Sequence, residues 1–181
     1  EALRGAASLG RVEVLRILKN KFDLTAEDAR ANTNEALRMA AENGHVDVLR
    51  FLKDYYGLTT EDARSNNNEA FNRAASKWVF YGHNIHIERH ADVLRVLKND
   101  FGLTADDARA DDNRVLKEAA LRDHLDVLQV LKDDFGLTAD DARAENNYAL
   151  RIAAEYGHGE VLRFLKDEFG LTIDDARAND N

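Results

Sequence analysis

The sequence predicts an all-α solenoid of five stacked helix-turn-helix repeats, each with a short third helix connecting it to the next. Three observations lead there. The 181 residues form one motif written five times, over 1–34, 35–68, 69–113, 114–147 and 148–181, the third block carrying an 11-residue insertion near 78–88. A fixed period of about 20–50 residues is the signature of a stacked repeat array. The chain has no proline while 33% of its residues are charged, which suits helices with one apolar stripe and a hydrated outer face. Every block closes on Asn (Asn34, Asn68, Asn113, Asn147, Asn181), so the period has a fixed phase. Residues 1–181 are read as a single repeat domain.

The second block shows the elements in order. Asn34 is expected to cap helix A, its side chain accepting from a backbone N–H that the first turn leaves unpaired. Helix A covers 35–42, with Leu37, Ala40 and Ala41 on one face. The Ala pair recurs as Ala6–Ala7, Ala74–Ala75, Ala119–Ala120 and Ala153–Ala154. Such small side chains let helices approach toward the short end of the roughly 8–10 Å spacings of packed pairs. Gly44-His45 turns the chain into helix B, where Asp47 near the start and Lys53 near the end match the helix dipole. Val48, Leu49, Phe51, Leu52 and Tyr56 form its apolar face. Gly57 stands where a left-handed C-terminal residue is wanted, with Leu58 as the apolar contact behind it. Leu-Thr-x-x-Asp-Ala-Arg follows in all five blocks. Thr59 with Asp62 is a capping-box pattern with Asp in place of Glu. It predicts the connecting helix, about one to two turns long; the alternative is an irregular turn. The following Arg (Arg30, Arg64, Arg109, Arg143, Arg177) is placed to pair with acids of an adjacent block.

Composition narrows the function. With 25 basic and 34 acidic residues the net charge is −9, which argues against nucleic acid, whose phosphates seek basic surfaces. No apolar run reaches the roughly 18–20 residues needed to span a bilayer. The absence of cysteine excludes disulfides, thiolate zinc sites and a thiol nucleophile, and fits a cytoplasmic chain. The acidic pairs (Glu27-Asp28, Glu61-Asp62, Asp106-Asp107, Asp140-Asp141, Asp174-Asp175) recur fivefold, whereas catalysis needs one constellation. No phosphate loop or Ser-His-Asp order is present. No enzymatic activity, catalytic residue or cofactor is expected.

The strings ALRMAAENGHVDVLRFLK (36–53) and ALRIAAEYGHGEVLRFLK (149–166) resemble the core of ankyrin repeats, in which an Ala pair and a Gly-His turn lead into a Val-Leu-rich helix. The resemblance covers about two-thirds of each block. Two features depart from it. Glu35-Ala36-Leu37-Arg38 stands where the family has Thr-Pro-Leu-His, and the Leu-Thr-x-x-Asp-Ala-Arg segment replaces the family's β-hairpin. The resemblance implies a protein-interaction module whose helix A lines a concave binding face.

Comparison of the five blocks separates scaffold from surface. The Ala pair, the helix B leucines, Leu-Thr, Asp-Ala-Arg and the closing Asn stay fixed, while the first, fifth, eighth and ninth positions vary. Positions one, five and eight form a single stripe on helix A. A varying stripe on a fixed frame is what a modular binding surface requires; the alternative is an exposed face that tolerates drift. The candidate partner-binding residues are Met39, Glu42, Arg73, Glu118, Leu121, Arg122, Tyr148, Ile152 and Tyr156 on the stripe, and Lys77, Trp78, Phe80 and Tyr81 at the insertion. Tyr148, Ile152 and Tyr156 stand at i, i+4 and i+8, and aromatic residues are favoured interface anchors; the competing role is packing.

The insertion is expected to extend helix A through Trp78 to Tyr81 and then to loop from Gly82. Its aromatic residues serve either as an added anchor or as a cover over neighbouring helices. His83, His86 and His90, with Glu88, have the spacing of a metal site if helical, but His90 aligns with the ordinary turn residues His45, His124 and His158, so no metal is assigned. The function expected is non-catalytic binding of a protein or peptide, basic or neutral in charge. The alternatives are a passive scaffold or spacer from a longer array, and a metal-binding protein using the insertion. The end blocks keep the internal apolar pattern (Leu3, Val14, Ile173) where a free-standing array carries polar faces, so end-to-end self-association is also expected.

Overall fold

A computed structural model describes residues 1–76 and 90–178. Every element among them is a helix, and the chain divides into two compact units, Glu1–Leu103 and Thr104–Asn181. The first holds α1 (Ala2–Ser8), α2 (Val12–Phe22), α3 (Ala26–Glu42), α4 (Val46–Tyr56), α5 (Thr60–Ser76) and α6 (His90–Asn99). In it α1, α3 and α5 pack side by side, and α2, α4 and α6 form a second row against them. The second holds α7 (Ala105–Leu121), α8 (Leu125–Asp133), α9 (Ala139–Ala142), α10 (Ala144–Glu155), α11 (Gly159–Asp167) and α12 (Ile173–Arg177), with α7 on α10 and α8 on α11. Each unit is thus a stack of helical repeats, as expected. The predicted helix extension over Trp78–Tyr81 lies outside the described residues.

The invariant residues make the core. Leu15, Leu49, Leu52, Leu94, Leu97, Leu128, Leu131 and Leu165 are fully buried, as are Ala40, Ala41, Ala74, Ala75, Ala119 and Ala120. Each such leucine contributes about 1.5–3 kcal/mol by leaving water. The turn histidines add a polar tie between repeats. His45 Nε2 lies 3.0 Å from the Ser8 carbonyl oxygen, and His158 Nε2 lies 2.9 Å from that of Leu121. Gly10 sits against the His45 ring, where a Cβ would come within 2.8 Å of Nδ1. At the other end of helix B, Gly57 is left-handed (φ 68°) and Leu58 N–H bonds back to the Leu52 carbonyl at 3.3 Å, the predicted cap. His90 opens α6 and is buried, in the turn position that the alignment gave it.

The Leu-Thr-x-x-Asp-Ala-Arg segment forms the predicted connecting helix with its capping box. Asp62 Oδ2 accepts the Thr59 backbone N–H at 2.8 Å and the Thr59 hydroxyl at 3.1 Å. The same carboxylate receives Arg30 of the preceding repeat in a two-pronged bond, Nε to Oδ1 at 2.8 Å and a terminal nitrogen to Oδ2 at 3.0 Å. Arg109–Asp141 and Arg143–Asp175 repeat this geometry. Burial pushes the Asp62 and Asp141 carboxyls up, but the arginine and threonine bonds outweigh it and hold both below the usual carboxylate range. Asp175 is lowered as well, chiefly by its bond from Arg143.

The expectation that Asn34 caps helix A is overturned. Ala31 is extended (φ −53°, ψ 144°), and Asn32, Thr33 and Asn34 that follow are all left-handed, with φ of 54°, 59° and 59°. Residues 66–68, 111–113 and 145–147 do the same. A helix N-cap has an extended backbone, so a left-handed Asn cannot fill that role. Its Oδ1 accepts no hydrogen bond among the described residues. The amide instead reaches the next repeat: Asn34 Nδ2 donates to Ser65 Oγ at 3.2 Å, and Asn147 Nδ2 to the Asp175 carbonyl at 3.1 Å. The left-handed conformation costs most L residues about 1–2 kcal/mol, and Asn and Asp tolerate it best. Eight of the twelve turn positions are Asn and two are Asp; Thr33 and Glu145 are the others. Side chains at the fourth position of the block bind the carbonyls the turn exposes: Arg38 donates to Asn32 (2.7 Å), Asn72 to Asn67 (3.1 Å) and Arg151 to Asn146 (3.1 Å).

Two predictions follow from this geometry. Thr33 is exposed and β-branched in a left-handed position. Thr33→Gly is therefore expected to raise stability by about 1 kcal/mol in urea unfolding, whereas Gly within a regular helix costs a similar amount. The depressed aspartates bind protons more weakly folded than unfolded. Their contribution is present above the unfolded value of about 3.9 and is lost as pH falls below it, through the folded values. Arg109→Ala, which strips a half-exposed guanidinium from buried Asp141, is expected to cost about 1–2 kcal/mol at pH 7. It is also expected to show less loss than the parent chain between about pH 4 and pH 2.

Candidate functional site

Within each unit the first helices of successive repeats lie side by side, so the variable stripe of one meets that of the next. In the first unit, Arg73 on α5 bonds to Glu69 on its own helix and to Glu42 on α3, both at 2.9 Å, with Met39 Sδ 3.6 Å away. All four side chains are half-buried. The bond Arg73 donates to Glu69 first, and the Glu42 charge after it, raise the Arg73 pKa. Three predicted residues, Met39, Glu42 and Arg73, thus form one mixed polar and thioether cluster.

In the second unit the stripe opens into a depression of about 250 Å³ lined by Arg114, Lys117, Glu118, Leu121, Glu145 and Tyr148. Lys117 Nζ pairs with Glu145 at 2.7 Å and stands 5.8 Å from the centre of the Tyr148 ring, while the Arg151 guanidinium stands 5.7 Å from it. Two cations on one ring fix its orientation at little entropic cost to a ligand. Glu118 and Arg122 form an ion pair across one helical turn. Burial lowers the Arg122 pKa, and the Arg114 charge adds to the effect. The depression therefore combines one positioned aromatic ring, one half-buried leucine and charges of both signs.

The three residues expected to act together at the end of the stripe separate. Tyr148 lines the depression. Ile152 is buried, at 9% exposure; it belongs to the core and not to the surface. Tyr156 is 53% exposed and stacks on His158, ring centres 6.1 Å apart. Lys77, Trp78, Phe80 and Tyr81 lie outside the described residues, as do His83 and His86. No group of three or more metal-ligating side chains occurs among the described residues.

Lys117, Glu145 and Arg151 were not singled out from the sequence. Lys117 and Arg151 occupy the fourth block position, one turn before the eighth, and mostly serve the left-handed turn in other repeats. Glu145 holds the first turn position, where the other blocks have the shorter Asn32, Asn66 and Asp111, and its carboxylate pairs with Lys117. That substitution is the signal that marks this site.

No family model matches the chain, and no curated protein matches it. Among solved structures it is similar to an ankyrin repeat family protein from Legionella pneumophila, at 22% identity and a TM-score of 0.38. The match covers 91% of this chain and 59% of that one, so the chain spans less than two-thirds of that protein's length. No helix among the described residues is long and apolar enough to cross a membrane.

Proposed function

We propose that the chain is a non-catalytic interaction module that binds a protein or peptide along the helix A face, within an ankyrin-like repeat frame. The observation that carries this is the division of labour within the repeat. The invariant residues are consumed by the core and the inter-repeat ties, and the variable ones, Ile152 apart, stay partly or fully exposed and are gathered on the first helices. The depression at Tyr148 is the centre of the site. Its ring and Leu121 take an apolar side chain, and Glu118, Glu145 and the three cations Arg114, Lys117 and Arg151 read the flanking charges. A stripe already cross-linked by ion pairs loses little side-chain freedom on binding, which favours affinity. A net charge of −9 favours a basic or neutral partner. Lys77, Trp78, Phe80 and Tyr81 of the insertion are proposed as further partner contacts.

Selection of displayed peptides on the intact chain tests the reading. Selected peptides are expected to lose at least about tenfold in affinity, or ~1.4 kcal/mol, to a Leu121→Ala/Tyr148→Ala variant. Peptides that bind the variant equally well overturn the site. The stability readout separates surface from core: Tyr156→Ala should leave the melting temperature nearly unchanged, whereas Ile152→Ala should cost about 2 kcal/mol or more through the cavity it leaves.

A further inference from the structure

Charge is distributed unevenly along the chain. The first unit carries fifteen basic and fifteen acidic residues and the second ten basic and nineteen acidic, so the second holds the whole net charge of −9. At the Tyr148 depression that balance is reversed. Arg114 and Lys117 line it, and Arg122 and Arg151 stand beside it through Glu118 and the Tyr148 ring. The acids that line it are Glu118 and Glu145. The sign also changes within the stripe itself: the first block position is Glu in the first three repeats (Glu1, Glu35, Glu69) and Arg114 in the fourth.

The two acids are held differently. Glu118 pairs with Arg122 on its own helix, and both side chains are largely covered. Glu145 pairs with Lys117 at 2.7 Å, and here the partners are unequal: the lysine side chain is 15% exposed and the glutamate 47%. Lys117 is fixed on α7 against the Tyr148 ring, whereas Glu145 reaches in from the left-handed turn with half its surface in water. Elsewhere the fourth-position side chain serves the turn of its own repeat, as Arg38, Asn72 and Arg151 do. Lys117 is instead drawn across to the turn of the next. An ion pair with one partner so exposed is weak and readily exchanged. A carboxylate arriving from solvent would meet the same Lys117 ammonium, with the planar fork of Arg114 on the wall beside it to take a second oxygen. Leu121 and the Tyr148 ring would seat the apolar group next to it.

We propose that the Tyr148 site takes a carboxylate of the partner peptide beside an apolar side chain, and that Glu145 holds the place of that carboxylate on Lys117 until the peptide displaces it. This rests on the reading of the helix A face as a peptide-binding surface and gives that surface a chemical preference. The charge of the whole chain acts at longer range, on the partner's overall charge. A peptide that is neutral or basic overall, with one acid next to an apolar residue, satisfies both.

Titration of the intact chain with peptides selected on it from a random displayed library tests this. Each peptide is made with blocked ends, beside a twin whose acids are replaced by their amides and a form of that twin with a free C-terminal carboxylate. On the parent chain the amide twin is expected to bind about tenfold more weakly than a carboxylate form. Whichever form keeps the affinity, side-chain or C-terminal, identifies the carboxylate that is seated. On Lys117→Gln the difference between carboxylate and amide is expected to vanish. Glu145→Gln is expected to tighten the carboxylate form by about twofold to fivefold and to leave the amide twin unchanged. Circular dichroism checks that both variants fold. An amide twin that binds the parent chain as well as both carboxylate forms overturns the proposal, and so does a folded Glu145→Gln that binds the carboxylate form no more tightly. Peptides that keep full affinity for the Leu121→Ala/Tyr148→Ala variant defeat the binding surface itself, so the two failures are told apart.

Discussion

Three consecutive left-handed residues are the constraint on which the repeat depends. The connecting helix and helix A are both right-handed and separated by only four residues, 31–34 in the first instance. Had those residues taken the ordinary helical conformation, the two segments would fuse into one rod. The histidine tie, the arginine–aspartate bond and the alanine contact could not then all be made by the same pair of neighbours. The turn's intrinsic cost is offset by composition, since Asn and Asp tolerate the left-handed region. Its bared carbonyls are met by Arg38, Asn72 and Arg151, and its last residue is put to use as a donor into the next repeat.

That arrangement leaves helix A with two jobs. Its small residues hold the stack, and the remaining positions face outward but still touch the adjacent repeat, as Arg73 does with Glu42. A change at one stripe position therefore alters the setting of its neighbour. Surface chemistry in such a protein is tuned by pairs of repeats and not by single ones. The Tyr148 site shows this: its ring comes from α10, its leucine from α7, and its acid from a turn that elsewhere carries Asn or Asp.

Most of the frame was legible because it is repeated. The period, the Ala pair, the helix B leucines, the glycine cap and the Thr–Asp box are each local signals with a single physical reading, and five copies reinforce one another. The left-handed turn was written just as clearly, in runs such as Asn66-Asn67-Asn68, but the closing Asn also fits a helix cap. That local explanation concealed the conformational one. Ile152 was misjudged for a different reason. Stripe arithmetic gives the side of a helix and not how deeply a residue on that side is covered, and Ile152, four positions beyond Tyr148, is buried.

The arginine–aspartate bond gives the stack a direction. Asp62, Asp141 and Asp175 each cap their own connecting helix and also receive the arginine of the repeat before. When a repeat opens, the one after it loses an arginine from a largely buried carboxylate and the hold on its connector slackens. The one before it keeps its own cap intact and merely has a half-exposed guanidinium returned to water. Fraying is thus unequal within each unit: damage travels more readily toward higher residue numbers than toward lower ones, and a repeat shelters its successor more than its predecessor.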